Sequence, residues 1–513
     1  MEKKNAWNRV IVVGSGPGGC AAALELVNAG LDVLMLEAGA DHDADEVIEN
    51  PKYAGELEEA YFNQYFWSIL QTPQENVILN GANYSNGRLL GGGSAINGMQ
   101  CCKGSRGVFE EWEALTQDAA WSPDHVNQAF LDLQKWVHVR KPQRTSDLAN
   151  KCVQALEHAV GFKRVDDYNV QDFGPFTNWQ YWQQPDGSRE SASTALIKRH
   201  LRHSPRFQLV QKATVVGLVF SESGAATGVR YLVGHEVREA RTRLSVVLAA
   251  GIQTPLLLER AGIGHMAHLR RCGIPLRVHS PANGRRLMNH LIVTATFTRN
   301  RQDPADDEPS NLYAFGAFYP AGAEPRGKRK SEWIGIDAGD RLVVAVLQTD
   351  PHSVGTVHVQ SDDTNTVPLA CENALGDARD LDEFKSLVKD KLLPFAKALA
   401  EIDEAYKLVS PDPARLEDDN NDEYLEEFIK SNLDHAHHWQ SQCPMGLNVS
   451  EAVVDPNGKV FGVEGLYVSD TSIVPSTVDC NTAASAFIIG KIIGSKLAKT
   501  LLGAQKTAQK PMM

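Results

Sequence analysis

The segment VIVVGSGPGGCAAALELVNAGLDVLMLE, residues 10–37, determines the predicted fold of the N-terminal part of the chain. The apolar run at 10–13 is typical of a strand buried on both faces. Residues 21–29 are predicted to form a helix and residues 31–36 a second strand. A strand, a helix and a second strand within about thirty residues form a βαβ unit, so we expect an α/β fold with a parallel sheet.

Glycines separate the first strand from the helix in the pattern Gly-x-Gly-x-x-Gly, at Gly14, Gly16 and Gly19. In dinucleotide-binding turns these glycines permit a tight turn, a close approach to a pyrophosphate and close packing of helix against strand. Glu37 ends the second strand, where an acidic residue binds the ribose of an adenosine. An acid there favours a free 2′-hydroxyl, so the pattern predicts FAD or NAD without choosing between them.

Length, composition and charge limit the class of protein. With 513 residues, 42% hydrophobic and 22% charged, the chain is expected to be globular, with at least two domains. The formal charge of −13 disfavours nucleic acid and anionic membranes and favours a small neutral partner. No apolar run reaches the roughly 18 residues of a membrane span. The eight cysteines form no CxxC pair and no signal-peptide pattern is seen, so reduced thiols in a cytoplasmic protein are expected.

Further segments resemble the glucose–methanol–choline (GMC) flavoprotein oxidoreductases. GRLLGGGSAING at 87–98 is similar to the first signature of that family, and GIQTPLLLERAGIG at 251–264 is similar to the second. NGRRLMNH at 283–290 resembles a family loop that ends in Asp-His. The C-terminal match comprises HWQSQCPMG at 438–446 and residues within 453–470 and 475–481. These segments keep the order of the family over nearly the whole chain.

The resemblance implies a Rossmann-like FAD-binding domain assembled from discontinuous segments, plus a substrate-binding domain with an antiparallel sheet and helices. We predict that residues 1–105, 195–290 and 437–505 form the first domain, and residues 106–194 and 291–436 the second. Apolar patterns predict further strands at 207–219, 228–232 and 244–250. They also predict helices at 256–261 and 483–499.

The resemblance selects FAD over NAD and implies additional cofactor contacts. Beyond the three glycines and Glu37, the residues expected to contact FAD are Arg88, Gly92, Ser94, Asn97, Val215 and Asp470. Asp470 is also a common turn former at the end of a strand, so a purely structural role stays open. Some members bind FAD covalently through a histidine of the first signature, and Ile96 occupies that position here. FAD is therefore expected to be non-covalent.

Oxidation of an alcohol by hydride transfer requires a base near the hydroxyl and a hydride acceptor opposite the C–H bond. The resemblance implies that His438 is the base, that Asn481 hydrogen-bonds the developing alkoxide, and that N5 of FAD accepts the hydride. The expected product is an aldehyde or ketone, with oxygen or another acceptor reoxidising the flavin. His437 is the alternative base if the register shifts by one residue.

Three alternatives are open at this point. His435, His437 and His438 raise the question of a metal site, but they give no helical i, i+4 pair and only Asp434 as a nearby carboxylate, so no metal is predicted. The same family resemblance also covers lyases and light-driven enzymes that perform no net alcohol oxidation. A flavin-binding protein without turnover is the third possibility.

Two further features affect the pocket beside His438. Ser441-Gln442 stands where many members have Gly-Thr, and the added bulk is expected to change the pocket and with it the substrate. Trp439 and the aromatic residues within 61–67 indicate either an apolar pocket or core packing. Buried packing thiols are expected at Cys101, Cys102 and Cys443.

Overall fold

The computed structural model describes residues 7–42, 45–50, 64–72, 74, 86–299, 312–320, 327–418 and 420–508, the last four of them by their backbone only. The strands in these ranges are β1 (Arg9–Val13), β2 (Asp32–Leu36), β3 (Leu70–Gln71), β4 (Gly174–Phe176), β5 (Phe207–Val210), β6 (Ala213–Phe220), β7 (Ala226–Val233), β8 (Glu236–Arg241), β9 (Val246–Leu248), β10 (Ile263–Gly264), β11 (Val278–His279), β12 (Leu291–Thr298), β13 (Phe315–Tyr319), β14 (Ser331–Asp337), β15 (Arg341–Gln348), β16 (Thr356–His358), β17 (Leu369–Cys371), β18 (Leu408–Ser410), β19 (Leu433–His435) and β20 (Leu466–Val468). The α-helices are α1 (Pro17–Asn28), α2 (Glu46–Glu49), α3 (Arg106–Thr116), α4 (Pro123–Leu133), α5 (Asp147–Val160), α6 (Thr254–Arg260), α7 (Met266–Arg271), α8 (Ala378–Ser386), α9 (Leu393–Ile402), α10 (Pro413–Leu416), α11 (Asp422–Asn432) and α12 (Ala483–Ala508).

A five-stranded parallel sheet, in the order β20-β9-β1-β2-β5, carries the fingerprint turn. β1 and β2 are buried after their first residues, as their apolar composition predicts. Helix α12 packs on α1, and a Cβ atom at Gly490 would lie 2.2 Å from the carbonyl oxygen of Gly18. The two helices therefore touch backbone to backbone, and segments far apart in sequence assemble one nucleotide-binding layer.

An antiparallel sheet forms the second layer, in the order β18-β12-β15-β14-β13-β4, with β19 also paired to β12. Because side chains alternate along a strand, each face of this sheet has its own partner. One face, including Trp333 and Val344, packs against α5, α8, α9 and α11. The opposite face carries Ile292, Ile334 and Leu347, which line the cavity described below. The mixed α/β fold with one parallel and one antiparallel sheet confirms the predicted fold class.

Smaller sheets complete the fold. β6, β7 and β8 form an antiparallel sheet beside the parallel one, and β16, β17 and β3 form a mixed sheet in which β17 is antiparallel to β16 and parallel to β3. The first signature contains a 3₁₀ turn over Gly92–Ala95. No helix within the described ranges is both long and apolar enough to cross a bilayer.

The predicted elements are present with changed bounds. The strand expected at 207–219 is divided into β5 and β6, because Lys212 between them has a φ of 52° and cannot continue an extended strand. The helix expected at 21–29 begins earlier, at Pro17, which suits the first turn of a helix. The C-terminal helix continues past the expected residue 499, because Leu501 and Leu502 still pack against the core.

Candidate active site

A cavity of about 820 Å³ extends from the fingerprint turn to His438. Its lining includes every predicted site residue except Gly19, namely Gly14, Gly16, Glu37, Arg88, Gly92, Ser94, Asn97, Val215, His438, Asp470 and Asn481. This volume falls in the range of cofactor and ligand sites, and the lining residues come from both sheets. The fold therefore gathers residues that are separated by more than four hundred positions in sequence.

The fingerprint turn joins β1 to α1 as the glycine pattern predicts. Gly14 has a φ of 98°, and a Cβ atom there would lie 2.3 Å from the carbonyl oxygen of Ala249. Gly19 lies behind the cavity, where a Cβ atom would lie 2.2 Å from the oxygen of Gly14, so its role is to let the helix approach the strand. Gly16 caps α1 and faces open space, which presents the helix N-terminus to the cavity as an anion site.

Glu37 is held rigidly at the end of β2. Its Oε2 accepts hydrogen bonds from the backbone N–H of Ser15 at 3.0 Å and from the Ser15 hydroxyl at 2.6 Å. Its Oε1 accepts from the N–H of Gly39 at 2.7 Å. Burial raises the pKa of the Glu37 carboxyl, and the three hydrogen bonds oppose that rise. The carboxylate therefore has a set orientation at the cavity wall.

The glycine-rich loop of the first signature lies against the fingerprint turn. A Cβ atom at Gly92 would lie 2.9 Å from the Cα of Gly16, so the two loops form one continuous backbone surface. The Ser94 hydroxyl donates to the oxygen of Gly91 at 2.6 Å and accepts from the N–H of Ala192 at 2.9 Å. The hydroxyl of Ser94 thus stabilises the loop itself.

Asn97 and Arg88 complete this wall. The side-chain oxygen of Asn97 accepts from the N–H of Met99 at 3.1 Å and from Nη1 of the buried Arg189 at 3.0 Å. With its oxygen engaged, Asn97 offers its amide N–H groups to the cavity. The Arg88 guanidinium lies over the ring of Trp67, 5.1 Å from its centre.

Asp470 both builds a turn and lines the cavity. Its Oδ1 accepts from the N–H of Ser472 at 2.8 Å, which caps the 3₁₀ turn Thr471–Ile473. Its Oδ2 accepts from the N–H of Gly251 at 3.0 Å and the hydroxyl of Thr254 at 2.6 Å. Burial raises the pKa of the Asp470 carboxyl. Val215 lies in β6 at the other end of the cavity, where the strand register becomes irregular.

His438 and Asn481 meet at the far end of the cavity. Nε2 of His438 lies 3.3 Å from the amide nitrogen of Asn481, and Nδ1 of His438 lies 2.9 Å from Nδ1 of His290. Nε2 of His290 lies 2.8 Å from the carbonyl oxygen of Val478. Because a carbonyl oxygen only accepts, we place the proton of His290 on Nε2; the amide nitrogen of Gln440, 3.3 Å from the same atom, makes the weaker contact.

These partners determine the tautomer of His438. His290 has its acceptor lone pair on Nδ1, so the Nδ1–H of His438 donates to it. Nε2 of neutral His438 is then unprotonated and faces the donor amide of Asn481. The arrangement presents a basic nitrogen to the cavity.

Both imidazoles are held neutral. The pKa of His290 falls to about 4, chiefly because of burial. The pKa of His438 lies well below its usual value, first because of burial and then because of the neighbouring His290 and His437. A neutral imidazole can act as a general base, whereas an imidazolium cannot.

The neighbouring histidines occupy different surroundings. His435 pairs with the buried Glu372, with 2.8 Å between Nδ1 and Oε1. His437 is exposed, has a φ of 57° and also lines the cavity. Asn481 is within reach of His438 and its own side-chain oxygen is buried without a protein partner. Of these three histidines, His438 is therefore the one whose ring contacts Asn481.

Sequence reasoning missed the role of His290. The residue was visible only as the end of the 283–290 segment, and its contact with His438 joins residues 148 positions apart. Asn289 was also missed; its side-chain oxygen accepts from the backbone N–H of His438 at 2.7 Å. In the sequence, residues 283–290 resembled a family loop that ends in a polar pair. That resemblance marked the segment but did not indicate that its last residues contact His438.

The expectation that Ser441 and Gln442 reshape the pocket is wrong. Both are buried, and neither lines the cavity. The Ser441 hydroxyl donates to the carbonyl oxygen of Val474 at 2.9 Å, so it is directed into the core.

The aromatic residues divide between the pocket and the core. Phe66, Trp67 and Trp439 line the cavity, whereas Tyr65 is buried and donates to Asp45 at 3.1 Å. Residues 61 and 62 lie outside the described residues. The three cysteines expected to be packing thiols, Cys101, Cys102 and Cys443, are buried and unbridged.

The cavity suits an extended dinucleotide. One end offers a helix N-terminus and a carboxylate, and Gly16 and Gly93 leave space where a Cβ atom would meet nothing within 4 Å. The other end offers Nε2 of His438 and the amide of Asn481. The residues present along this cavity therefore fit FAD.

Comparison with known proteins supports the same conclusion. Family models described as GMC oxidoreductase match residues 11–292 and 351–490. The chain is 27% identical over 535 residues to 5-(hydroxymethyl)furfural oxidase of Methylovorus sp. (strain MP688), covering 95% of this chain and 98% of that protein. It is 26% identical to oxygen-dependent choline dehydrogenase of Rhizobium meliloti (strain 1021), covering 97% and 96%.

Solved structures show the same fold. A crystal structure of pyridoxine 4-oxidase from Mesorbium loti has a TM-score of 0.84 at 21% identity, with 95% of this chain and 98% of that chain covered. A formate oxidase structure has a TM-score of 0.82 at 19% identity, with 96% and 98% covered. Since the family models span most of the sequence, the chain belongs to the GMC oxidoreductase family.

Proposed function

We propose that this enzyme oxidises a small, uncharged alcohol to an aldehyde or ketone, with His438 as the base and Asn481 as the partner of the alkoxide. The reaction class follows from the family: the chain is an FAD-dependent oxidoreductase acting on CH–OH donors. The observation that carries the residue roles is the unprotonated Nε2 of His438, facing the cavity beside the Asn481 amide.

Each side chain has a distinct task. His438 accepts the hydroxyl proton at Nε2, and its Nδ1–H continues to donate to His290 as positive charge develops. The hydrogen-bond chain carries a proton no further than His290, because the carbonyl oxygen of Val478 cannot accept a proton at neutral pH. The Asn481 amide donates to the alkoxide oxygen. Bound FAD supplies the hydride acceptor.

The charge of the cavity supports a neutral substrate. Among the described lining residues the carboxylates are Glu37 and Asp470, and both already accept several hydrogen bonds from the protein. The wall near His438 is formed by Ile292, Ile334 and Leu347, with other apolar and aromatic side chains. A cationic alcohol would find no carboxylate partner there among these residues, whereas a flat or apolar body would bury its surface against the antiparallel sheet.

Several finer points belong to the same proposal. FAD is held non-covalently, since Ile96 lines the cavity at the position where attachment occurs in some members and offers no nucleophile. Oxygen or another acceptor reoxidises the flavin. The FAD-binding domain comprises residues 1–105, 195–290 and 437–505, and the substrate-binding domain comprises 106–194 and 291–436. The enzyme acts in the cytoplasm, and the remaining predicted cavity residues bind FAD.

An anaerobic experiment tests the proposal. The purified yellow protein is mixed in the dark with a panel of neutral and cationic alcohols, and bleaching of the flavin absorbance is followed. We expect bleaching with one or more neutral alcohols, its loss in His438→Ala, and its retention in the matched control His437→Ala. Retention in His438→Ala with loss in His437→Ala would reverse the assignment of the base.

The same experiment separates the rival functions. Product that forms only under illumination, or without reduction of the flavin, would indicate a light-driven enzyme or a lyase. A protein that binds FAD but reduces it with no alcohol, and forms no product, would indicate a binding role. An unprotonated imidazole paired with a donor amide can deprotonate a hydroxyl in an oxidation or in a lyase reaction, so reduction of the flavin is the observation that separates the two.

A further inference from the structure

A second group of ligating side chains lies outside the cavity. Glu259 on α6, His268 on α7 and His358 at the end of β16 place their donor atoms within 4.8 Å of one another. Oε1 of Glu259 lies 2.7 Å from Nδ1 of His358, and Oε2 lies 3.7 Å from Nε2 of His268. The Glu259 side chain is fully buried, and the two imidazoles are 15% and 20% exposed. Three elements thus converge on one buried carboxylate.

A thiol lies beside this group but outside it. Cys272 follows His268 by four residues, at the end of α7, and its sulfur lies 3.5 Å from Nε2 of His268. The group of donor atoms that all lie within 4.8 Å of one another does not include this sulfur. The ligand set therefore consists of two imidazoles and a carboxylate, which are donor types that zinc takes in proteins.

The separations suit a tetrahedral ion. Donors bound to zinc at about 2.0–2.3 Å lie roughly 3.3–3.7 Å apart when they occupy the corners of a tetrahedron. The 3.7 Å between Nε2 of His268 and Oε2 of Glu259 agrees with this spacing. The shorter 2.7 Å contact of His358 is a hydrogen bond to the carboxylate, and a metal would replace the proton on Nδ1.

We propose that Glu259, His268 and His358 form a zinc site, with water as the fourth ligand. None of the three lines the catalytic cavity, so the site is separate from alcohol oxidation. The two imidazoles are partly exposed, which gives the ion a path from solvent. The inference does not depend on the proposed reaction.

The position of the site indicates what the metal stabilises. Immediately after His358 the chain forms the segment 364–368, which lines the cavity. Residues Ile252 and Leu257, just before Glu259, line it as well. The remainder of the interface is a small apolar cluster that includes Leu256, Leu269 and Val357. A zinc ion would therefore link β16 and the loop after it, which forms part of the cavity wall, to α6 and α7.

Metal content tests the site without any turnover. Tag-free holoenzyme is incubated with zinc, passed through a desalting column and analysed by mass spectrometry for zinc per chain. We expect about one zinc per chain in the parent, less than one tenth of that in His268→Gln and His358→Gln, and full retention in the control His265→Gln. His265 is a matched control because it lies at the start of α7 outside the ligand set.

Cobalt provides a second measurement for variants that fold poorly. Replacement of zinc by Co²⁺ in the parent is expected to give the absorption of a tetrahedral site without a thiolate-to-cobalt band, and Cys272→Ser is expected to leave that absorption unchanged. Added zinc should raise the thermal midpoint of the parent and leave that of His268→Gln unchanged. No bound zinc in the parent, or equal loss of zinc in His265→Gln, would overturn the proposal.

Discussion

Replacing His290 tests whether it sets the tautomer of His438. His290→Phe keeps a ring of similar outline but removes the acceptor for the Nδ1–H of His438, which lies 2.9 Å away. A buried donor left without a partner costs about 1–3 kcal/mol. The His438 tautomer with its proton on Nδ1 therefore loses the stabilisation of that hydrogen bond. The other tautomer, in which Nε2 carries the proton and cannot act as a base, becomes populated. The rate of anaerobic flavin reduction is then expected to fall about 5- to 150-fold.

The matched variant is His290→Gln, whose side-chain oxygen can still accept the hydrogen bond of His438. We expect it to reduce flavin faster than His290→Phe, with both variants retaining the FAD content of the parent. Stopped-flow absorbance at saturating alcohol measures the rate, and the ratio of flavin to protein absorbance measures the FAD content. A Phe variant within twofold of the parent, or equal losses in the two variants, would refute the tautomer argument.

Three further predictions concern the remaining parts of the site. Asn481→Ala should slow flavin reduction by roughly 100-fold, with little change in FAD content, because removal of one donor to a developing oxyanion has an effect of this size. A loss of less than threefold in the stopped-flow rate would contradict the role of Asn481 as a donor to the alkoxide. As the pH is lowered, the rate of flavin reduction should fall with a midpoint below pH 6.5. Burial, His290 and His437 lower the pKa of His438, and only the neutral imidazole accepts a proton. A midpoint at or above 6.5 in a profile from pH 5 to 8 would be inconsistent with this. Gly19→Ala should destabilise even the FAD-free protein by about 1–3 kcal/mol, because its Cβ would lie 2.2 Å from a backbone oxygen. Gly16→Ala should leave the stability of the FAD-free protein unchanged and weaken FAD binding. Equal thermal midpoints of the two FAD-free variants would count against the packing argument.

The nucleotide-binding half of the site was predictable because its signals are local. A buried strand, a helix period and three glycines lie within a few turns of one another, so residues 10–37 specify β1, α1 and β2 directly. The family-like segments likewise located His438 and Asn481. Their order along the chain carried that information, and no knowledge of sheet register was needed.

The supporting contacts depend on register between distant strands, which local patterns do not encode. β12 pairs with β19, and the carbonyl oxygen of His290 accepts from the N–H of Ala436 at 3.0 Å, which brings His290 to His438. The same kind of long-range packing directs Ser441 into the core.

The sequence by itself thus determined the βαβ unit, the cofactor class and the two residues expected at the reacting end of the cavity. Only the tertiary structure decided that His290 contacts His438, and that Glu259, His268 and His358 meet. The physical reason is that strand and helix periodicities are set by residues a few positions apart. The contacts of His290 with His438 and of His358 with Glu259 form where separate elements pack, so their free energy depends on partners about one hundred or more positions away.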